Sequence, residues 1–461
     1  MTKKLPHSVS TMRKLYTGLC VGLLIVSNAE AGLVVGPNVN ISQQVGRNQE
    51  TTISVNPLNT NQLFASDTIS SVGRYSTDGG ITWRTSNLST ASRGDVQTAW
   101  DSNGNLFLTR FGASALSIEV LRSIDGGVNF TNIGQLATGN SDQPSIAVGA
   151  NSVWVTFTDS LNRIVAAGAS VLGNVVSAFS ALQIAPGSGG DFGDIAISPT
   201  GKVAVVYQNN GSGQGPDSIK FNLDANGLAA GGFGAQSIVT NTNVGGFDFI
   251  PAQAGRSIDA EANLAYDRSG GVHDGRLYMV YVDETINESN NTDIFLRYSD
   301  NDGSTWSAPI KVNDDVTTRS QFNPAIAVDQ TTGAVAITWY DARNSSTNTR
   351  AQIFGTVSDT GGSSFLSNVL ISLGTSDAAL AGTFNFGDYD KMDFAGGKFW
   401  RTWADNSNST GDNPDGTLGN PDMYTAMVTF TSDAQNVPEP ASIALFALAL
   451  AGLGVIRRSK Q

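Results

Sequence analysis

The chain has 461 residues, and its 27 lysines and arginines against 40 aspartates and glutamates give a net charge of −13 at neutral pH. This acidic balance disfavours nucleic acid and an anionic membrane surface as partners. One cysteine and two histidines leave almost no material for disulfides, thiol catalysis, Ser-His-Asp catalysis or a His-rich zinc site. The 51 glycines, and the lack of an amphipathic helical period between residues 32 and 436, predict many short strands joined by tight turns.

Residues 1–31 have the three parts of a secretory signal peptide. A basic start is followed by an apolar run at residues 15–26 and by the small-x-small sequence Ala29-Glu30-Ala31. Cys20 falls within this segment, so the predicted exported chain contains no cysteine.

The middle of the chain repeats one pattern seven times: an apolar strand, a turn and a second apolar strand. The copies are residues 51–55 with 62–66, 96–100 with 105–110, 145–148 with 153–157, 194–197 with 202–207, 263–266 with 277–282, 325–328 with 335–339, and 391–394 with 398–403. A third strand follows each copy and a fourth strand follows all but the last, as at residues 294–298 and 308–312. Four short antiparallel strands cannot bury both faces alone, so we expect neighbouring sheets to stack around an axis.

An eight-residue hairpin also recurs, with the pattern Ser, any, Asp-like, any, Gly, any, small polar, aromatic. The two copies that match the pattern best are residues 76–83 and 123–130, and the two weaker copies are residues 299–306 and 358–365. A short Asp or Asn side chain accepts backbone N–H bonds across a tight turn, Gly supplies positive φ, and the aromatic packs under the hairpin. The residues that carry this pattern are Asp78, Trp83, Asp125, Phe130, Asn301, Trp306 and Phe365. The hairpins resemble the Asp box, or BNR repeat, of sialidase-like β-propellers, which implies a structural place on the outer rim.

We therefore expect an all-β fold in which residues 32–436 form a single β-propeller of seven four-stranded antiparallel blades. The seventh copy has no fourth strand of its own after residues 422–429, and residues 37–42 read as the missing strand that would close the ring. Six blades, as in sialidases, are the alternative if the weak unit around residues 160–240 is irregular.

The resemblance to sialidases implies a Tyr nucleophile paired with a Glu, an Asp as general acid, and three arginines that clamp a carboxylate. The Arg-Ile-Pro motif that carries the first of those arginines is absent from this sequence. Glu261 lies just ahead of a first strand, and Tyr389 stands late in the chain between two aspartates. The candidate catalytic residues are Glu261, Tyr389 and Asp388, and the candidate substrate-binding residues are Arg256, Arg319 and Arg343.

No cofactor and no metal site is predicted. A Ca²⁺ ion in the loop that bears Asp405, Asp412, Asp415 and Asp422 is the one alternative, because hard cations favour oxygen ligands. The spacing of these residues matches no EF-hand.

Residues 437–461 form a tripartite tail of Pro438-Glu439-Pro440, an apolar run at residues 441–456 and a basic end. The run is slightly short for a comfortable membrane span, and the basic end would stay cytoplasmic. The tail resembles the PEP-CTERM sorting signal of Gram-negative bacteria. That resemblance implies an exosortase-type processing enzyme as partner, transient inner-membrane anchoring through the C-terminal helix, and delivery to the cell surface or extracellular matrix. A plain C-terminal anchor is the alternative.

Three functions follow as expectations, and the sequence leaves open whether the protein is an enzyme. The first is binding of an extracellular glycan or matrix polysaccharide, which the missing Arg-Ile-Pro motif and the negative charge favour. The second is a glycoside hydrolase of the exo-α-sialidase type that uses Tyr389 and Glu261 on extracellular glycans. The third is a purely structural matrix protein, since a fold does not fix the chemistry that it carries.

Overall fold

A computed structural model describes residue 1 and residues 31–69, 72–89, 94–113, 116–187 and 189–432. The predicted signal peptide up to residue 30, and the tail from residue 433 onward, lie outside the described residues. The strands of the described part form seven antiparallel sheets, one of which contains a fifth short strand.

The first strand of the chain, β1, is Gly32–Asn40. Blade 1 contains β2 (Thr51–Val55), β3 (Leu63–Asp67), β4 (Arg74–Ser76) and β5 (Arg84–Thr85). Blade 2 contains β6 (Gly94–Trp100), β7 (Leu106–Phe111), β8 (Ile118–Ser123) and β9 (Thr131–Ala137). Blade 3 contains β10 (Asp142–Gly149), β11 (Ser152–Thr158), β12 (Ile164–Leu172), β13 (Val175–Val176) and β14 (Gln183–Ile184). Blade 4 contains β15 (Asp191–Ile197), β16 (Val203–Gln208), β17 (Asp217–Asp224) and β18 (Ser237–Thr242). Blade 5 contains β19 (Asn263–Tyr266), β20 (Leu277–Glu284), β21 (Thr292–Ser299) and β22 (Ile310–Lys311). Blade 6 contains β23 (Gln321–Val328), β24 (Val335–Asp341), β25 (Gln352–Ser358) and β26 (Val369–Leu370). Blade 7 contains β27 (Met392–Ala395), β28 (Lys398–Asp405) and β29 (Asp422–Thr431), together with β1. Three short 3₁₀ helices in the described part are Asn210–Ser212, Pro251–Gln253 and Ala378–Ala381.

The seven blades form a closed ring. Each innermost strand contacts the innermost strand of the next blade, and β27 contacts β2. The second strand of a blade is covered on both faces by its neighbours, so all six residues of β7 are buried, whereas both residues of the outer strand β5 are exposed. The predicted all-β propeller with seven blades is thus confirmed. The six-blade alternative is wrong because the weak unit around residues 160–240 supplies the regular sheet β15–β18.

The N-terminal strand closes the ring, as predicted. Strand β1 pairs antiparallel with β29, from Gly32 opposite Thr431 to Asn40 opposite Tyr424. The strand starts earlier than the predicted segment 37–42, because residues 32–36 continue the ladder. The Asn38 side chain donates to the Ile371 carbonyl at 2.9 Å, which also ties β1 to blade 6.

The four octapeptide hairpins connect the third and fourth strands of blades 1, 2, 5 and 6, and they share one set of hydrogen bonds. In the first hairpin, the Gly80 N–H donates to Ser76 Oγ at 2.9 Å, and the Thr82 N–H donates to Asp78 Oδ1 at 2.9 Å. The other three hairpins repeat both bonds at 2.8 to 3.1 Å. Gly79 and Gly80 have φ of 79° and 90°, so the turn uses the glycines as expected.

The aromatic residues of these hairpins pack across a blade boundary. The Phe130 ring of blade 2 lies 5.0 Å from the Phe64 ring of blade 1, and the Trp306 ring of blade 5 lies 5.7 Å from the Phe221 ring of blade 4. These two hairpins therefore stabilise the contact between their own blade and the preceding one.

Candidate functional site

Two cavities and a small chamber lie along the axis of the ring. A channel of about 520 Å³ is lined by all seven innermost strands. A second cavity of about 490 Å³, here named the mouth cavity, lies where the innermost strands begin. Between them, a chamber of about 20 Å³ shares Tyr389 and Gln143 with the mouth cavity. The mouth cavity is lined by Glu50, Thr68, Ile69, Asp95, Asp142, Gln143, Asp191, Phe247, Arg256, Phe384, Asp388 and Tyr389.

The backbone at the strand starts explains why so many acids reach this cavity. Strands β6, β10 and β15 each break register within their first few residues. Three residues that line the cavity, none of them glycine, have left-handed backbone angles: φ is 54° at Glu50, 49° at Asp95 and 42° at Gln143. Bulges of this kind redirect side chains at the rim of a sheet, and left-handed non-glycine residues cluster at functional sites.

The described lining of the mouth cavity holds five acidic side chains and one basic side chain. Arg256 contacts Asp388 directly and lies 3.7 Å from Glu50 Oε1. Burial and the nearby Asp388 raise the pKa of Glu50 well above its usual range. Burial together with Asp142 and Asp388 does the same for the pKa of Asp95. Burial alone would lower the pKa of Arg256, but the facing carboxylates raise it, so this cation stays charged.

Two carboxylate oxygens in the cavity receive no N–H or hydroxyl donor from the described residues, and the Glu50 and Asp388 carboxyl groups lie close enough for a proton held by Glu50 to bridge them. Asp388 Oδ2 accepts from Gln143 Nε2 at 3.0 Å and also from Arg256, while its Oδ1 is buried and unpaired. Glu50 Oε1 is likewise buried without a hydrogen bond. The side chains of Glu50 and Asp388 are only 3 % and 6 % exposed. Leaving such groups unpaired is costly, so acceptors of this kind mark a place for a ligand's donors.

Tyr389, the predicted nucleophile, lies between the mouth cavity and the chamber. Its hydroxyl forms a 3.0 Å hydrogen bond with Thr68 Oγ1. Burial, followed by the charges of Asp95 and Glu50, raises the pKa of Tyr389 well above its usual range, so the phenol keeps its proton.

Glu261, the predicted catalytic partner of Tyr389, faces the chamber. Its Oε1 accepts a 3.0 Å bond from Asn263 Nδ2, and Lys391 in turn donates to Asn263 Oδ1 at 2.7 Å. Burial raises the pKa of Glu261 to about 8, although Lys391 opposes the shift. Glu261 and Tyr389 therefore line one chamber, but 20 Å³ is too small for a sugar ring.

Of the three predicted substrate-binding arginines, Arg256 alone lines the mouth cavity. Arg343 contacts Asp341 at 2.8 Å and Asp314 at 2.7 Å, beyond the end of β24. Arg319 donates to the Ser346 carbonyl at 2.8 Å. The structure therefore does not bring the three together, and their roles stay predictions.

The sequence did not single out Glu50, Asp95, Asp142 or Phe247, although these residues line the cavity. One signal was available for two of the acids, because Glu50 and Asp95 directly precede the predicted first strands at residues 51 and 96, whereas Asp142 lies three residues before the one at residue 145. Phe247 lies in the Gly- and Asn-rich insert between blades 4 and 5 and had no comparable pattern.

The aspartates named for a calcium site bond to protein groups instead. Asp412 accepts from Gln43 Nε2 at 2.7 Å, Asp415 accepts from the Gly46 N–H at 2.8 Å, and Asp422 accepts from Ser42 Oγ at 2.9 Å. Asp405 accepts from Trp403 Nε1 at 2.9 Å. Within the described ranges, no group of three or more His, Cys, Asp or Glu side chains could hold a metal ion. No helix in the same ranges has the length and apolarity to cross a membrane.

Comparisons with known proteins identify the tail and the fold. Residues 436–459 match the PEP-CTERM protein-sorting motif. No curated protein matches the chain. The BP39L lectin of Burkholderia pseudomallei has a similar structure, with a TM-score of 0.51 and 10% identity over 78% of this chain and 93% of the lectin.

Two further solved structures match less closely. The GH93 α-L-arabinofuranosidase of Fusarium graminearum gives a TM-score of 0.43 at 13% identity, over 70% of this chain and 98% of the enzyme. The phage phi92 endosialidase gives 0.44 at 10% identity, over 87% and 70% of the two chains. The molecule is therefore an exported seven-bladed propeller protein that carries a PEP-CTERM protein-sorting motif.

Proposed function

We propose that this propeller binds an extracellular glycan in the mouth cavity. The observation that carries the proposal is the set of unpaired, buried carboxylate oxygens of Glu50 and Asp388 in a cavity of about 490 Å³. That volume falls in the range of small-ligand sites. Sugar hydroxyls donate hydrogen bonds to carboxylates, and Phe247, 41 % exposed on the same cavity, adds apolar surface that the C–H groups of a sugar ring can contact.

Among the described residues of the lining, Arg256 is the one arginine, which argues against an anionic sugar. A sialidase-type clamp needs several guanidinium groups around one carboxylate. Arg256 is already paired with Asp388, and further acids surround it. A substrate carboxylate placed there would meet net repulsion.

Hydrolysis of a glycosidic bond is the second candidate, and the raised pKa of Glu261 supports it. A general acid must hold its proton near neutral pH, and a pKa of about 8 meets that condition. The position of Glu261 in the small chamber argues the other way, since a sugar in the mouth cavity is separated from it by Tyr389 and Gln143. Binding without turnover therefore fits the geometry better.

The test is a binding screen on the purified protein, with a panel of oligosaccharides on an array and titration calorimetry of the hits. We expect Phe247→Ala and Asp388→Asn each to weaken binding at least tenfold. Asp359→Asn is the matched control, because this exposed acid lies on an outer hairpin between β25 and β26.

Two results would contradict the proposal that the protein binds glycans without hydrolysing them. Release of sugar from the same oligosaccharides, lost in Tyr389→Phe and Glu261→Gln, would establish the hydrolase. Absence of binding to every member of a broad panel would refute the proposal and favour a structural role in the matrix.

A further inference from the structure

We infer that the sugar bound in the mouth cavity is positively charged, namely an amino sugar with a free ammonium group. This inference rests on the proposed glycan binding and specifies its ligand class. Its basis is the ratio of charges, since Glu50, Asp95, Asp142 and Asp388 line the cavity with Arg256 as the one basic side chain in the described lining.

Arg256 is placed to neutralise only part of this cluster. Its guanidinium contacts Asp388, lies 3.7 Å from Glu50, and stacks over the Phe384 ring at 5.2 Å. Asp95 and Asp142 instead accept the Gln143 N–H, at 3.3 Å and 3.0 Å.

Among the described residues, Arg47 lies 5.8 Å from the Phe384 ring at the edge of the cavity, and two basic groups below the cavity bond to other residues. Lys391 bonds to Asn263 and lies 3.7 Å from Asp194, and Arg401 lies 3.7 Å from Asp390. The other titratable groups that face the cluster, Asp191, Asp259, Glu261 and Tyr389, supply no positive charge.

The unpaired oxygens fit an ammonium group in particular. An ammonium has three N–H donors and no acceptor, and its hydrogen bonds to carboxylates are stronger than those of a neutral hydroxyl. Glu50 Oε1 and Asp388 Oδ1 are buried acceptors on the wall of one cavity without a donor. A neutral sugar can supply hydrogen-bond donors, whereas an ammonium also takes the place of the proton that Glu50 holds and lets the facing carboxyl groups ionise.

A bare metal ion is a poorer match for the same acids. In the ranges that the structure describes, these carboxylates are not grouped tightly enough for three of them to share one ion. An amino sugar carries its ammonium group on a ring, and that ring can also contact Phe247 and Phe384. It therefore contacts more of the cavity lining than a single metal ion would.

The experiment compares two tetrasaccharides with the same backbone, β-1,4-linked glucosamine and its fully N-acetylated counterpart. Titration calorimetry at low salt should show the free amine binding at least tenfold more tightly, with an affinity that falls as salt is added. Glu50→Gln and Asp388→Asn should each reduce this preference, whereas Asp359→Asn should preserve it. Because Glu50→Gln removes a buried charge in a packed position, circular dichroism checks its fold, and Asp95→Asn serves as a second variant.

A second readout is the proton balance of binding. The measurement is made at a pH low enough for the sugar amine to be fully protonated before it binds. Since an ammonium stabilises the charged form of the facing carboxyl groups, binding should then release protons from them, and the heat should depend on the ionisation enthalpy of the buffer. The N-acetylated sugar should show no such dependence.

The outcomes separate the two proposals. Equal or tighter binding of the N-acetylated sugar would overturn the inference about charge while leaving glycan binding intact. Failure of both sugars to bind, along with the wider panel, would overturn glycan binding itself.

Discussion

Replacement of Glu261 by Gln should stabilise the protein, and the gain should grow with pH. The Glu261 side chain is buried, and its pKa of about 8 compares with an ordinary value of 4.5. Below pH 4.5 the folded and unfolded chains both carry the proton. As the pH rises from 4.5 to 8, the unfolded chain loses this proton while the folded chain keeps it, so the free energy of unfolding falls.

The size of the effect follows from these two pKa values. At pH 7 the unfolded chain gains about 3 kcal/mol from ionising this one group, whereas the folded chain remains mostly protonated. At pH 4.5 the same difference is about 0.4 kcal/mol. Gln has the shape of the protonated acid, and its carbonyl oxygen can still accept the 3.0 Å bond from Asn263. The substitution therefore removes the pH-dependent loss without removing the contact.

Urea unfolding of the wild-type protein and Glu261→Gln, followed by tryptophan fluorescence at several pH values between 4.5 and 7.5, measures this difference. Asp359→Asn serves as the control, since an exposed acid should change stability by less than about 0.5 kcal/mol at every pH. A difference between wild type and Glu261→Gln that stays flat over this range would refute the reasoning. So would a variant that is less stable at pH 7.

Three further substitutions test the fold. Asp78→Ala should lower stability by about 1–2 kcal/mol, because the Asp78 carboxylate accepts four hydrogen bonds within its hairpin, and thermal melting measures this. Gly168→Ala should cost about 1–3 kcal/mol, since a Cβ there would lie 2.2 Å from the buried Trp154 ring, while Gly189→Ala, in open space, should be neutral in the same melt. Deletion of residues 32–40 should abolish cooperative unfolding by leaving the outer edge of β29 without a partner strand, and a peptide of residues 32–42 added in trans should restore it.

The ring could be predicted because its determinants are local and repeated. Each first and second strand is a short apolar run next to a turn, and each octapeptide hairpin carries the same Ser and Asp-like residues at the same spacing. Even the closing strand was visible, since the last blade had three strands and the N-terminus had an unassigned one. The sequence did not indicate that this strand starts at Gly32, because residues 32–36 show no alternation of apolar and polar side chains.

The mouth cavity could be predicted only in part because its determinants are neither local nor repeated. Arg256 meets Asp388 across 132 positions of sequence, and the Gln253 side chain donates to the Gly387 carbonyl across 134. These contacts join the insert between blades 4 and 5 to the one before blade 7. Neither insert has a periodicity, so the sequence suggested Asp388 and Arg256 as separate candidates without showing that they form one ion pair.

The stability of the ring and the charge of its mouth follow from one structural property. Neighbouring blades bury each other's faces, so the sheets remain stable even where the first residues of the innermost strands adopt left-handed angles and hold acids close together. Those acids destabilise the folded state at neutral pH, because burial and mutual repulsion raise the pKa values of Glu50 and Asp95. A cation bound among these acids removes part of that repulsion. The acids that lower the stability of the free protein would therefore raise its affinity for an ammonium ligand. The excess of acids over Arg256 is thus better explained by a cationic ligand than by the requirements of the fold.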